Sequence, residues 1–174
     1  MSMDPSLCDT LETMTRRLNH AVLFVHDAAE SAAFYQRILG LTVVQSMRDR
    51  AVFLRAPGSS NDHDLGLFGV GPQAGMSEAG QRTVGLYHLA WEVDTLEELV
   101  EVRDKLAEEG ALSGASNHGA SRSLYAKDPS GLEFEVLWEV PSDLFDAEID
   151  VFGTRALDLD ADIARFGLQA TRNR

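Results

Sequence analysis

The sequence predicts an α+β fold in which one strand–helix–three-strand unit is used twice and a helical tail follows. Three observations carry this expectation. Strand-length apolar runs and helix-length amphipathic runs occur in the same order in both halves. Each helical run ends on a glycine, Gly40 or Gly110. A histidine also stands five residues before the end of each half's first apolar run: His20 before Val25, His88 before Val93. The phase agrees, with 20 residues from His20 to Gly40 and 22 from His88 to Gly110.

Met1 to Arg16 has no apolar period and is expected to be a loosely packed arm. Leu18–Val25 (LNHAVLFV) is short, apolar and partly β-branched, as a buried strand should be. Asp27 offers an N-cap to a helix over Ala28–Leu39, whose Phe34, Ile38 and Leu39 share one side. Leu41–Met47, Ala51–Ala56 and Leu65–Val70 read as strands, with a Pro57–Asn61 turn before the last. Gly71–Thr83 is polar, Gly-rich and linker-like. The order then restarts with a strand over Val84–Val93 and a helix capped by Asp94 or Thr95 and running through Glu109. Ala111–Ser116, Ser121–Ala126 and Leu132–Trp138 supply three further strands. The organisation expected is an arm over 1–16, a domain over 17–140 with modules of about 17–71 and 84–140, and an extension over 141–174. An amphipathic stretch, Leu157–Leu168, predicts a helix in that extension.

Composition narrows the function. The chain has 174 residues, 44% of them apolar and 25% charged, enough for one ordinary globular domain. Fifteen Lys and Arg against 28 Asp and Glu leave a formal charge of −13. That balance disfavours nucleic acid and anionic membrane surfaces, both of which need a cationic face. The single cysteine, Cys8, cannot form an intramolecular disulfide. No apolar run approaches the roughly 20 residues of a membrane span, and Met1–Glu12 lacks the order of a signal peptide. The expectation is a cytoplasmic, acidic, single-domain protein.

Of the five histidines, His20 and His88 occupy equivalent places in the two units. One histidine in an apolar strand is ordinarily a core residue; two related by an internal repeat can converge on one point. Glu135 lies in LEFEVLW, where Phe134 and Val136 alternate with Glu133, Glu135 and Leu137. A carboxylate brought inward there needs a cation or donors. His20, His88 and Glu135 together have the composition of the 2-His-1-carboxylate triad, which leaves part of an octahedral ion's shell open. The step of 47 residues from His88 to Glu135, repeated from His20, lands on Leu67; a slip to Gly66 or Phe68 supplies no ligand either. The fourth corner is thus expected to be vacant. His26 matches nothing and is expected at the surface.

The segment His118–Glu135 (HGASRSLYAKDPSGLEFE), with its Asp128–Gly131 turn, resembles the motif of extradiol catechol 2,3-type dioxygenases. The chain from about Leu18 to Glu139 is similar to a vicinal oxygen chelate domain, the superfamily that also holds glyoxalases and bleomycin and fosfomycin resistance proteins. The resemblance implies two βαβββ modules forming a curled mixed sheet around a metal. The ligands implied are His20, His88 and Glu135, and the ion Fe(II), with Mn(II) as the alternative. It implies His63 as acid/base, and His118 and Tyr125 as groups that orient substrate. Asp62 and Ser116 depart from the pattern, and many extradiol enzymes carry two such domains where this chain has one. The partners implied are a catecholic substrate and dioxygen, with copies of the chain associating as a homo-oligomer. The alternatives are a glyoxalase-like metal lyase or isomerase, and a non-catalytic binding protein of the bleomycin-resistance kind.

Overall fold

The structure is a computed structural model that describes residues 17–48, 50–80, 82–146, 149 and 153–171. The expected arm and Cys8 lie outside these residues. Each half folds as the repeat requires. In the first, strand β1 (Ala21–Val25) leads into helix α1 (Ala28–Leu39), then β2 (Thr42–Ser46), β3 (Ala51–Arg55) and β4 (Leu65–Gly69). In the second, β5 (Leu89–Glu92) leads into α2 (Leu96–Glu108), then β6 (Leu112–Asn117), β7 (Ser121–Lys127) and β8 (Glu133–Glu139). A short strand, β9 (Arg155–Ala156), and a helix, α3 (Leu159–Phe166), follow.

The sheets are mixed and share one topology. Their orders are β1-β4-β3-β2 and β5-β8-β7-β6-β9, with the first pair of each parallel and the rest antiparallel. Both second strands bulge at the same place, between Val43 and Gln45 and between Leu112 and Gly114. An extra residue strengthens local twist and curls a sheet. The curled mixed sheet expected of two βαβββ modules is present as one sheet per module, and among the described residues β1 and β5 are edge strands paired only with β4 and β8.

Local chemistry sets the helix ends where the sequence predicts them. Asp27 Oδ1 accepts from the Ala29 and Glu30 amides at 2.8 and 3.0 Å, a cap worth about 1 kcal/mol. Gly40 closes α1 at φ 66°, a left-handed conformation that side chains resist. Thr95 and Glu98 form a reciprocal capping box on α2.

The helices pack on one side of each sheet and join the modules there. Phe34 and Tyr35 of α1 meet Phe134 of β8 edge-on at 5.9 and 5.5 Å. Tyr35 donates to Asp128 at 3.4 Å, and the His26 amide donates to Ser130 Oγ at 2.9 Å. His26 is therefore half-buried at this junction rather than at the surface, its ring Nε2 3.0 Å from the Ala74 carbonyl. Desolvation pushes both the Tyr35 phenol and the Asp128 carboxyl up.

Two further expectations about the elements need correcting. The strand expected over Val84–Val93 is ladder-paired only from Leu89, and Val84, Leu86 and Tyr87 are exposed; an edge strand needs a neighbour to stay extended, and β8 reaches only this far. The extension also contributes more than a helix: β9 pairs with β6 as the fifth strand of the second sheet. Among the described residues no helix is long and apolar enough to cross a membrane.

Candidate metal centre and the groups around it

Alternation along β8 decides which carboxylates face the open side of the second sheet. Phe134, Val136 and Trp138 are buried against the helices, which turns Glu133, Glu135 and Leu137 to the opposite face. Glu135 pairs with Ala90 in register, and His88 lies just before β5, one diagonal step away. Their contact follows: His88 Nε2 is 3.1 Å from Glu135 Oε2. The His88 Nδ1 atom is buried without a hydrogen-bond partner among the described residues.

Two donor atoms held at a right angle about 2.1 Å from an octahedral ion are about 3.0 Å apart. The His88–Glu135 spacing matches that separation, so this pair could occupy adjacent positions on a divalent metal. Tyr125 stands opposite Glu135 on β7. Burial pushes its phenol up, and the charge and hydrogen bond of Glu135 act in the same direction. His118 Nε2 lies 2.8 Å from the Tyr125 hydroxyl. Four of the expected residues thus share one face of the second sheet.

The other two meet on the first sheet. The His20 and His63 rings are 4.5 Å apart, and Phe53 lies against His63 edge-on at 5.0 Å. Asn61 ties this corner together. Its amide donates to the Asn19 carbonyl and to Asp64 Oδ1, both at 2.7 Å, and its oxygen accepts from Arg17 at 2.9 Å. Burial opposes ionisation of Asp64, but hydrogen bonds from Ala56, Asn61 and Ser59 outweigh it and hold the carboxyl below its ordinary value. Neither Asn19 nor Arg17 carried a sequence signal, since surface polar residues before a strand are common.

One chain does not bring the two corners together. Among the described residues no group of three His, Cys, Asp or Glu side chains could hold a metal ion. His88 and Glu135 make a two-ligand half-site, while His20 belongs to the other sheet. A cavity of about 730 Å³ lies between the modules, lined by residues that include Val22, Phe24, Tyr87 and Lys127. None of the six expected site residues is in its wall.

The fourth corner also moves by one residue. Val22 pairs with Gly66 and Ala90 with Glu135, so the counterpart of Glu135 is Gly66, not Leu67. Leu67 is fully buried on the helix side. A β-carbon at Gly66 would stand 3.4 Å from the Phe53 ring and from Val22. The corner is vacant as expected, and the Phe53 ring closes on it.

The comparisons agree with this architecture. Residues 17–136 match the Glyoxalase/Bleomycin resistance protein/Dioxygenase superfamily. The chain is 33% identical over 120 residues to biphenyl-2,3-diol 1,2-dioxygenase 3 of Rhodococcus globerulus, covering 68% of this chain and 61% of that protein. It is 29% identical over 122 residues to metapyrocatechase 2 of Cupriavidus necator, covering 68% of this chain and 35% of the relative. The chain therefore spans about three fifths of the length of the first and a third of the second. Among solved structures, a mutant of the fosfomycin resistance protein FosX from Listeria monocytogenes, complexed with Mn(II), is 24% identical with a TM-score of 0.53. That match covers 71% of this chain and 90% of FosX. With the repeated βαβββ topology and a matched segment that reaches from Arg17 into β8, this chain belongs to the glyoxalase/bleomycin resistance/dioxygenase superfamily, the vicinal oxygen chelate proteins.

Proposed function

We propose that this protein is an extradiol dioxygenase, which opens a catecholic ring beside the diol with dioxygen at a non-haem Fe(II) centre. The observation that carries the reading is the His88–Glu135 pair at 3.1 Å, with Tyr125 and His118 beside it on the same sheet. The likeness to two catechol-type dioxygenases supports the same chemistry. A divalent metal bound there would supply Lewis acidity and redox chemistry. The chain's own groups have separate tasks. Tyr125 and His118 orient the diol and donate to oxygen atoms that gain charge. His63 takes the second diol proton and returns one as the ring opens.

The missing third ligand is proposed to come from a second copy. On β1, Val22 and Phe24 are 50% and 72% exposed and share the face of His20, while Leu23 and Val25 point into the core. Val84, Leu86 and Tyr87 are exposed just upstream of His88. Apolar faces beside two incomplete corners suit a twofold pair in which His20 of one copy approaches His88 and Glu135 of the other.

Metal analysis followed by oxygen uptake with catechol tests the function. Iron in the protein together with oxygen uptake and a yellow ring-opened product supports it. A divalent metal without oxygen uptake points to a lyase or isomerase, and a protein that takes up no metal points to a binding module.

A further inference from the structure

We propose that Thr154, in the extension beyond the superfamily-matched segment, is a positioning residue that fixes the tautomer of His118. The inference rests on the reading above only in taking His118 and Tyr125 to face the substrate; the contact itself is independent of it.

Strand register places the threonine. β9 pairs antiparallel with β6, Ser116 opposite Ala156 and Asn117 opposite Arg155. One further step along this ladder sets Thr154 opposite His118, and its Oγ1 lies 3.2 Å from His118 Nδ1. The extension is anchored well beyond this point. Arg122 and Asp162 form a buried ion pair at 2.7 Å, Trp138 Nε1 donates to the Ala170 carbonyl at 2.9 Å, and the Glu97 amide donates to the Leu168 carbonyl at 3.0 Å. The hydroxyl is therefore presented by a tethered strand.

Proton counting gives the direction of the bonds. A neutral imidazole has one donor and one acceptor nitrogen, and a carboxylate only accepts. The Tyr125 hydroxyl proton has Glu135 and His118 Nε2 as acceptors, while Ser123 acts on the phenol as a donor to its oxygen. With that proton on the Glu135 side, His118 Nε2 must donate to the phenol oxygen. His118 Nδ1 is then the acceptor, and Thr154 donates to it. The chain Thr154 → His118 → Tyr125 → Glu135 runs one way and aims the phenol proton at the open face of the sheet. Without the hydroxyl, the opposite tautomer draws the Tyr125 proton back to His118.

The test compares Thr154→Val, close in shape but without a donor, with Thr154→Ser, which keeps it. Long-range 1H–15N NMR of the histidine rings at mildly alkaline pH, where imidazoles are neutral, reads the tautomer directly. The wild type and Thr154→Ser should show His118 as the Nε2–H form, and Thr154→Val a mixture. In catechol turnover, Thr154→Val should lose about tenfold in kcat with KM within about twofold, and Thr154→Ser should recover it. If Thr154→Val does not fold, Thr154→Ala takes its place in both measurements. Identical His118 nitrogen shifts in wild type and the hydroxyl-less variant overturn the proposal. A wild type with no catechol activity but with the expected tautomer shift overturns the dioxygenase reading and leaves this one standing.

Discussion

At the scale of single residues, the site is a matter of lone pairs facing one another. His88 Nε2 and Glu135 Oε2 approach to 3.1 Å on the open face of a sheet, and a cation between them relieves the cost of a largely desolvated carboxylate. Replacing Glu135 with Ala is expected to abolish metal uptake and turnover together; stoichiometric metal with full activity in that variant removes it from the ligand set. His63→Ala should keep the metal and slow catechol turnover about 10²–10⁴-fold, so an unchanged rate takes His63 out of the mechanism. Asp64 gives the corner of His20 a pH dependence. Its folded pKa lies below its unfolded one, so its stabilisation is present above the ordinary carboxylate range and is lost as pH falls through the folded value. Urea unfolding across mildly to strongly acid pH should show a flatter acid limb for Asp64→Asn than for wild type. Equal slopes count against that role.

At the scale of elements, the extension is fastened to the second sheet by more than apolar contact. Arg122 is 2% exposed and Asp162 6%, and the guanidinium also lies 5.5 Å from the centre of the Phe166 ring. Removing one partner leaves the other buried without a counter-charge. Asp162→Ala should therefore lower unfolding free energy by about 3–5 kcal/mol, measured by urea denaturation. The double change Arg122→Met with Asp162→Leu should recover most of that loss, because it removes both charges and keeps the volume. A single variant as stable as wild type means that α3 is not held by this pair.

For the whole molecule, two sheets of one topology join through their helices and leave their opposite faces open. That arrangement separates His20 from His88 and Glu135 within one chain, and in the proposed twofold pair a second copy would restore the set. Mixing subunits tests it. His20→Ala and Glu135→Ala should each be inactive alone, yet a mixed pair carries one site with both changes and one with neither. Random pairing in a twofold dimer should then return about one quarter of wild-type activity. A mixture as inactive as its components means that each site is built within one chain.

The elements themselves were legible because their determinants are local. Asp27 and Gly40 bound α1 to the residue, Thr95, one of the two candidates, caps α2, and the period-2 alternation of LEFEVLW puts Glu135 on the open face. The equivalence of His20 and His88 was also legible, since both stand just before the first strand of a repeated unit. Register was not. Whether Gly66 or Leu67 faces Glu135's counterpart corner, and that Thr154 meets His118 across β6 and β9, depend on pairings between distant strands. Shifting a ladder by one residue turns every side chain to the other face, and no local pattern records that choice. By itself the sequence determined the repeat, the start and end of α1 and, in LEFEVLW, which side chains turn away from the core. Only the tertiary structure decided which of those side chains meet, because helix packing sets the two sheets apart and holds one expected ligand, His20, on the first and two, His88 and Glu135, on the second.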